Sequence, residues 1–330
     1  MPGATELRPL SLGELLDRTF TLYRNHFWLF VGIMALPQLV IVILSLLLQR
    51  FMSPFLAVPA SSGSPPAPAE MARILGGFFF GALVGGVVYY IVYAMALGAT
   101  TFAVSDVYLG RPATVQSAYR NVRGRFWSLL GLIFLILLVL FFAYLVFVAG
   151  GMIVGILLGI VLGPLAVVGV FLGFLAGMVC AVMLGMSFGV AIPALLLEKL
   201  TIFQALTRSM KLTKGNLGRI FLTFLLMGVI TYAIIAVFQG PFLAAMFMTK
   251  GGQISLWLQS LSVISGGAGG VLSGPLLMIG LSLLYYDARV RKEAFDLQVM
   301  MAALGPAAPP AGATPPPEAG TSGPSPSTKA

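Results

Sequence analysis

Long uncharged stretches alternate along the chain with short segments that carry nearly all of the charge. The uncharged stretches cover 27–49, 74–105, 126–197, 220–249 and 251–286. A transmembrane helix needs about 20 predominantly apolar residues. Four of the stretches therefore supply one such helix each, and the third, which has 72 residues, has room for two long helices or three short ones.

The positions of the basic residues decide between these numbers of crossings. Segments 1–26, 106–125, 198–219 and 287–330 hold 16 of the 19 Lys and Arg residues. Cytoplasmic loops of membrane proteins carry an excess of Lys and Arg. All four segments lie in the cytoplasm only if the 72-residue stretch crosses an even number of times. The pattern predicts an all-α polytopic membrane protein with six transmembrane helices as three hairpins, both termini cytoplasmic and 51–73 outside as an irregular loop.

The segment before each hairpin has the spacing of a short amphipathic helix. The spacing predicts helices over 11–25, 114–124 and 201–214. Ser11 and Glu14 form an S-x-x-E capping box at the first of them, and the third begins with a T-x-x-Q box. Apolar residues recur every three or four positions, and basic residues lie on the opposite side. This pattern is typical of helices that lie in the membrane interface with basic side chains at the lipid headgroups.

An interfacial helix, a span, an outer turn and a second span form a unit that occurs three times. The units cover about 9–106, 111–198 and 199–290. Tyr-Arg-Asn occurs at 23–25 and again at 119–121, and Phe-Trp follows each copy. Self-similarity of this kind indicates internal repetition, although helical hairpins of similar length produce a similar period.

The C-terminal segment differs in composition from the rest of the chain. Residues 303–330 are rich in Pro and Ala and have almost no bulky apolar side chain. Such a segment cannot bury enough apolar surface to fold. The chain therefore divides into a six-helix membrane domain over 1–302 and a disordered cytoplasmic tail over 303–330.

Glycines recur every four residues within the 72-residue stretch. They lie at 151, 155, 159 and 163, and again at 169, 173 and 177. Small residues at this spacing let helix backbones approach closely, which favours core packing, with a glycine-lined conduit as the alternative. We place the turn between spans three and four at Gly163-Pro164 because proline cannot extend the preceding helix. A turn at Gly150-Gly151 with a re-entrant piece is the alternative.

Composition excludes several classes of protein. Only 9% of the residues are charged and 59% are apolar, whereas about 25% are charged in a typical soluble domain. A soluble domain of this length needs more polar surface, so a soluble enzyme, a disordered chain and a disulfide-rich secreted module are excluded. The net charge of +9 indicates contact with anionic lipid of the cytoplasmic leaflet. No nucleic-acid partner is expected, because a soluble basic face with aromatic readers is absent.

Few residues are suited to catalysis or to metal binding. Cys180 is the only cysteine, His26 is the only histidine, and the ten carboxylates are scattered. The sequence contains no nucleophile with a nearby base, no spaced carboxylate pair and no phosphate-binding loop. The long uncharged stretches also lack the ionisable residue that ion-coupled transport uses. We therefore expect a protein that is not an enzyme and that holds no metal and no cofactor.

Each hairpin ends in an acid, at Asp106, Glu198 and Asp287. An acid at a helix C-terminus is unfavourable by roughly 0.3–1 kcal/mol, so we expect at least two of the three to pair with an arginine of an interfacial helix. The candidate partners are Arg18, Arg24, Arg120 and Arg208. Other basic residues near the interface are candidate contacts for lipid headgroups: Arg123, Arg125, Lys211, Lys214, Arg289 and Arg291.

Three segments together resemble a known family. They read LRPLSLGELLDRTFTLYRNHF at 7–27, PALLLE…ALTRSMKLTKGN at 193–216 and LLYYDARVRKEAFDLQ at 283–298. They are similar to a bacterial integral-membrane family named after the membrane domain of glycerophosphoryl diester phosphodiesterase, over about 1–302 of the chain. The resemblance implies a six-helix membrane domain, sometimes fused to a catalytic barrel and often standing alone. It does not imply the activity of the barrel, which needs a soluble domain with metal-binding acids and paired histidines.

Three functions are compatible with these observations. The first is a non-catalytic module or scaffold of the bacterial plasma membrane that contacts anionic lipids and unidentified partner proteins. The second is a facilitator or channel for a small or lipidic solute, which would show a continuous polar-lined cavity between the helices. The third is a membrane accessory to glycerophosphodiester metabolism. The identity of a substrate, the partners and the oligomeric state do not follow from the sequence.

Overall fold

A computed structural model describes residues 10–56, 67–163, 166–248 and 255–293, and within these ranges the regular structure is entirely helical. The helices are α1 (Leu12–Asn25), α2 (Phe27–Leu56), α3 (Pro68–Tyr108), α4 (Val115–Arg123), α5 (Phe126–Leu162), α6 (Ala166–Ser187), α7 (Ala191–Leu197), α8 (Ile202–Thr213), α9 (Leu217–Met248) and α10 (Leu256–Glu293).

In the part of the chain that the structure describes, six stretches of helix are long and apolar enough to cross a membrane. They are Phe27–Phe51, Pro68–Tyr108, Phe126–Val161, Val167–Leu197, Leu217–Ala245 and Leu256–Glu293. The prediction of an all-helical chain with six membrane-length helices is confirmed. Several are longer than a bilayer requires: α3, with 41 residues, is about 60 Å long, about twice the thickness of the hydrocarbon core.

Two boundaries of the long helices bear on the sequence predictions. Helix α5 continues through Gly150 and Gly151 and ends before Gly163, whose φ of 59° is readily adopted by glycine. The preferred turn is therefore correct and the alternative at Gly150-Gly151 is wrong; Pro164 lies outside the described residues. The irregular loop predicted over 51–73 is too long, since α2 reaches Leu56 and α3 begins at Pro68, where proline is tolerated at the first helical position.

A break near the end of the fourth long stretch is not predicted from the sequence. Helix α6 ends at Ser187, a turn covers 188–190, and α7 continues to Leu197. Phe188 and Val190 are buried at this break. The break lies inside a run of apolar residues, where hydrophobic periodicity gives no signal. Gly189 in the turn and Pro193 in the first turn of α7 are the residues that mark it.

Helix α10 lies at the centre of the bundle. In an apolar 18-residue segment of this helix, 61% of the residues are buried, whereas 6% are buried in the corresponding segments of α3 and α5. It packs against α1, α2, α3, α8 and α9. Every residue from Met278 to Ala288 is buried, and the side chains of Tyr285 and Ile279 are fully enclosed. The C-terminal part of α10 is therefore the scaffold on which the charged end of the protein is built.

Helices α5 and α6 touch through their glycines. A Cβ added at Gly151 would lie 2.9 Å from the backbone nitrogen of Gly173, and one added at Gly169 would lie 2.5 Å from the backbone nitrogen of Gly155. Such distances are too short for a real Cβ contact, so the two backbones meet directly. The glycine spacing thus corresponds to helix packing, as the favoured interpretation predicts.

Three short helices lie where the sequence spacing predicts them. Helix α1 begins with the capping box of Ser11 and Glu14, in which the Ser11 amide donates to Glu14 at 2.7 Å. Helix α4 has a box formed by Thr114 and Ser117, and the Thr201 amide before α8 donates to the Gln204 side chain at 3.1 Å. Helix α1 packs on α10, α4 on α3, and α8 on α7.

Candidate functional site at the basic end of the bundle

The short helices converge on one end of the bundle, which we call the basic end and define as α1, α4, α7, α8 and the last two turns of α10. Arg18 of α1 donates to the Tyr108 hydroxyl at the end of α3 at 3.4 Å. The rings of Tyr108 and Tyr286 lie 5.0 Å apart, and the Tyr286 hydroxyl is 2.8 Å from Oγ of Ser105. These contacts place α1, the end of α3 and the end of α10 in one layer.

Asp287 is the most enclosed charged side chain of this layer, with 4% of the residue exposed. Its carboxylate accepts a hydrogen bond from the Leu10 amide at 2.7 Å, lies 3.1 Å from the guanidinium of Arg219, and accepts from Nε of Arg291 at 3.0 Å. Both arginines also donate to the Leu10 carbonyl. A buried carboxylate persists when it is paired and hydrogen-bonded in this way. Asp287 therefore fixes the N-terminal segment, the start of α9 and the end of α10 together.

Glu198 is the centre of a second cluster. Nε of Arg208 donates to its Oε2 at 2.8 Å, and the Tyr285 hydroxyl donates to its Oε1 at 2.7 Å. Arg208 also pairs with Glu293, with Nη2 donating to Oε2 at 2.7 Å. Arg289 lies 3.3 Å from Glu293 and 3.7 Å from Glu198. Two carboxylates and two guanidinium groups thus alternate, so the cluster carries no net charge and ties α8 to α10.

The environment of Arg208 keeps it charged. Its hydrogen bonds to Glu293 raise the pKa of the guanidinium above its usual range, desolvation lowers it by less, and the bonds to Glu198 raise it further. Charge-assisted and bidentate pairs of this kind are the stronger class of hydrogen bond. Arg208 therefore acts as a fixed cation between α7, α8 and α10.

The ion pairs predicted from the sequence are present in part. Glu198 pairs with Arg208, as expected. Asp287 takes its partners from α9 and from its own helix instead of from a short helix. Within the described ranges no ion pair joins Asp106 to a basic residue. The prediction that at least two acids pair with an arginine of a short helix is therefore wrong for these residues.

The faces of α1 and α4 explain this difference. Arg24 and Arg120 are exposed on the outer sides of their helices, while Thr19 and Val122 point into the bundle. Arg18 is half-buried but is occupied by the Tyr108 hydroxyl. Of the helices α1, α4 and α8, only α8 turns an arginine towards an acid within the described residues.

Three of the six candidate lipid contacts are occupied within the chain. Arg125 donates to the carbonyls of Leu195 at 3.4 Å and of Lys199 and Leu200 at 3.1 Å. Arg289 and Arg291 pair with the carboxylates of α10. The other three, Arg123, Lys211 and Lys214, are exposed and have no ion pair among the residues that the structure describes.

Three participants in these clusters were missed by the sequence reasoning. Arg219 interrupts the apolar start of α9, and Glu293 follows Arg289 by four residues, so both carried a signal in their spacing. The Leu10 amide carried none, because every residue has a backbone amide and only the folded chain shows which one meets Asp287.

The clusters around Asp287 and Glu198 hold helices together by ion pairs and hydrogen bonds. In the described part of the chain no three His, Cys, Asp or Glu residues come together as metal ligands. Glu198, Asp287 and Glu293 each pair with a guanidinium of a neighbouring helix, so all three acids attach helices to one another. Comparison of the chain with family models, with curated proteins and with solved structures finds no match.

Proposed function

We propose that the chain is a non-catalytic module of a bacterial plasma membrane, a scaffold whose basic end lies in the cytoplasm and contacts anionic lipids and partner proteins. The observation that carries the proposal is the division of charge at this end. The acids of α10 and α7 are used for internal attachment, while a set of basic side chains is exposed without an ion pair in the described ranges. That set is Arg24, Arg120, Arg123, Lys211 and Lys214.

In this proposal the long helices form three antiparallel hairpins, α2–α3, α5–α6 and α9–α10, and α1, α4 and α8 lie in the membrane interface. The neighbouring helices of each hairpin pack on one another. Trp28 and Trp127, which follow α1 and α4, are 81% and 80% exposed. Exposed tryptophans at the start of a span suit the headgroup region, which supports an interfacial position for the helices before them.

A facilitator or channel is the second candidate. Its glycine-lined form is not favoured, because Gly151 and Gly155 are covered by the backbone of α6. One of the two glutamines at membrane depth is occupied by a neighbouring helix: Gln239 donates to the Ser262 carbonyl at 3.2 Å and accepts from the Ser262 hydroxyl at 3.0 Å. Such pairs are typical of helix–helix attachment in lipid.

The proposal includes the family suggested by the sequence segments at 7–27, 193–216 and 283–298. The six membrane-length helices agree in number with the six-helix domain that the resemblance implies. A role as a membrane accessory to glycerophosphodiester metabolism is the third candidate, and it rests on this resemblance alone.

Orientation is tested by cysteine labelling on a Cys180→Ser background. A cysteine at Arg123 or Lys214 should react with a membrane-impermeant maleimide in inverted vesicles and not in intact cells. Reaction in intact cells would overturn the cytoplasmic position of the basic end.

Lipid and partner contacts are tested by extraction in native lipid followed by mass spectrometry. Anionic lipid should be enriched around the wild-type protein relative to the bulk membrane, and less so around an Arg24→Gln/Arg120→Gln/Arg123→Gln variant. Reconstituted vesicles that release trapped small solutes only when they contain the protein would favour the channel instead.

A further inference from the structure

An apolar groove runs between α6 and α9, starting at the basic end. Its volume is about 780 Å³, within the range of about 300–1,000 Å³ that is typical of small-molecule sites. Except for Tyr232, every residue that lines it is apolar or glycine. On α9 the lining reaches from Phe221 to Ala236, which is about 22 Å of helix. One leaflet contributes about 15 Å of hydrocarbon, so the groove has room for a whole acyl chain.

Two glycines create this groove. A Cβ added at Gly185 of α6 or at Gly228 of α9 would have no neighbour within 4 Å. The contrast is Gly189, where an added Cβ would lie 2.9 Å from the ring of Phe224. The chain after α6 thus contacts α9 at the basic end. Beyond this contact the groove stays open because Gly185 and Gly228 have no side chains to fill it.

A cluster of three lysines lies at the C-terminal end of α8. Nζ of Lys292 donates to the carbonyls of Lys211 and Lys214 at 2.7 and 2.6 Å. All three residues are exposed, and in the described part of the chain none of them has an ion pair. We call them the lysine cluster. Among the described residues no acid pairs with its positive charge, unlike that of the arginines around Glu198 and Asp287.

The lysine cluster stands beside the mouth of the groove. The hydroxyls of Ser209 and Thr213 in α8 donate to the Ser187 carbonyl at 2.7 and 3.3 Å. Ser187 directly follows Met186, which lines the groove, and Lys214 directly follows Thr213. The end of α8 is therefore attached to the end of α6, one residue beyond the groove, at Ser187, which itself lines a second apolar groove between α5 and α6.

The groove suits an acyl chain and the lysine cluster suits an anionic headgroup, which are the two parts of a phospholipid. An acyl chain gains little by exchanging lipid for an apolar groove, because lipid tails are as apolar as the side chains there. Selection therefore depends on the headgroup, and three unpaired lysines attract a phosphate of the cytoplasmic leaflet. We propose that the groove and the lysine cluster form a binding site for one anionic phospholipid, with its phosphate at the lysines and an acyl chain along Gly185 and Gly228.

This site rests on the proposed function, which places the basic end at the cytoplasmic leaflet, and adds to it a defined position for a single lipid. The test is native mass spectrometry of the full-length protein in detergent, titrated with phosphatidylglycerol and, separately, with phosphatidylcholine. The wild-type protein should retain one tightly bound phosphatidylglycerol and bind phosphatidylcholine more weakly.

Two variants address the two halves of the site. Lys211→Gln/Lys214→Gln should weaken phosphatidylglycerol binding about 25-fold, since a basic residue at an anionic surface contributes roughly a fivefold factor. Gly228→Leu should abolish the tightly bound lipid, because the leucine occupies the groove. The matched control is Gly86→Leu on α3, where an added Cβ also meets nothing within 4 Å; it should leave binding unchanged.

The outcomes separate the site from the general lipid contact. If Gly228→Leu keeps the wild-type affinity while the lysine variant loses it, the lipid is held by its headgroup alone. This result would overturn the site and leave the proposed function in place. Equal binding of both lipids by the wild-type protein would contradict both. Inorganic phosphate at millimolar concentration should not displace the lipid; full displacement would show a phosphate site that does not use the groove.

Discussion

The backbone amide of Leu10 donates a hydrogen bond to Oδ1 of Asp287, 277 positions later in the chain. Because Arg219 and Arg291 bind both the Asp287 carboxylate and the Leu10 carbonyl, the start of the chain is held to the last helix by charge as well as by packing. Leu10 itself is 2% exposed and belongs to the main apolar core. Leu10, directly before the cap of α1, is thus part of the bundle.

Asp287→Ala should destabilise the protein by about 3–5 kcal/mol, because it leaves the partly buried guanidinium of Arg219 and the buried Leu10 amide without their acceptor. Thermal unfolding in detergent, followed by intrinsic fluorescence, measures the loss. Asp106→Ala is the control: Asp106 also lies near the C-terminal end of a long helix, α3, but has no ion pair in the described residues, so its replacement should change stability by less than about 0.5 kcal/mol. Equal effects of the two substitutions would contradict the special role of Asp287.

Glu198 and Arg208 should show direct coupling in a double-mutant cycle. Glu198→Gln and Arg208→Gln each break a half-buried pair, and the double variant should lose less than the sum by roughly 1–2 kcal/mol. The same cycle with Arg120→Gln in place of Arg208→Gln should be additive within about 0.5 kcal/mol, because Arg120 is exposed on another helix. An additive result for Glu198 and Arg208 would show that their contact contributes nothing to stability.

The difference between these two acids shows what the sequence could predict. The pairing of Glu198 with Arg208 follows from ten residues of local sequence that place an acid before a short basic helix. The partners of Asp287 depend on how α1, α9 and α10 meet, and hydrophobic spacing does not determine that arrangement. The number of long helices follows from the lengths of the uncharged stretches together with the positions of the basic residues. The break between α6 and α7 does not follow from them, because it lies inside an uncharged stretch, where Gly189 and Pro193 are the only local signals.

Helix packing between α5 and α6 should fail when a side chain is added at Gly173. Gly173→Val inserts three carbons against the backbone of Gly151, and overpacking of this kind costs about 1–3 kcal/mol or more. Gly150→Val is the control, since an added Cβ there has nothing within 4 Å. Unfolding of both variants in the same detergent should show a loss for Gly173→Val alone. A comparable loss in both would indicate that β-branching in the helix, and not the contact, is responsible.

Arg125 and Arg123 lie two residues apart, and the structure gives them different roles although the sequence offers both as lipid contacts. Arg125 reaches across to three carbonyls at the end of α7 and in the loop before α8, where Lys199 has a φ of 55° in the left-handed region. Hydrogen bonds from a charged donor contribute about 1.5–3 kcal/mol. Arg125→Ala should therefore lower stability by about that amount, while Arg123→Ala should have almost no effect.

The location of the destabilisation in Arg125→Ala is a more specific test than the change in the free energy of unfolding. Because the bonds of Arg125 end at Leu195, Lys199 and Leu200, its loss should increase amide hydrogen exchange over 195–201 before the rest of the bundle is affected. The exchange of α2 and α9, which Arg125 does not contact, serves as the internal reference. If Arg125→Ala leaves exchange over 195–201 unchanged and instead reduces retention of anionic lipid as Arg123→Ala does, then Arg125 is a lipid contact and the bonds to the loop are not what holds it.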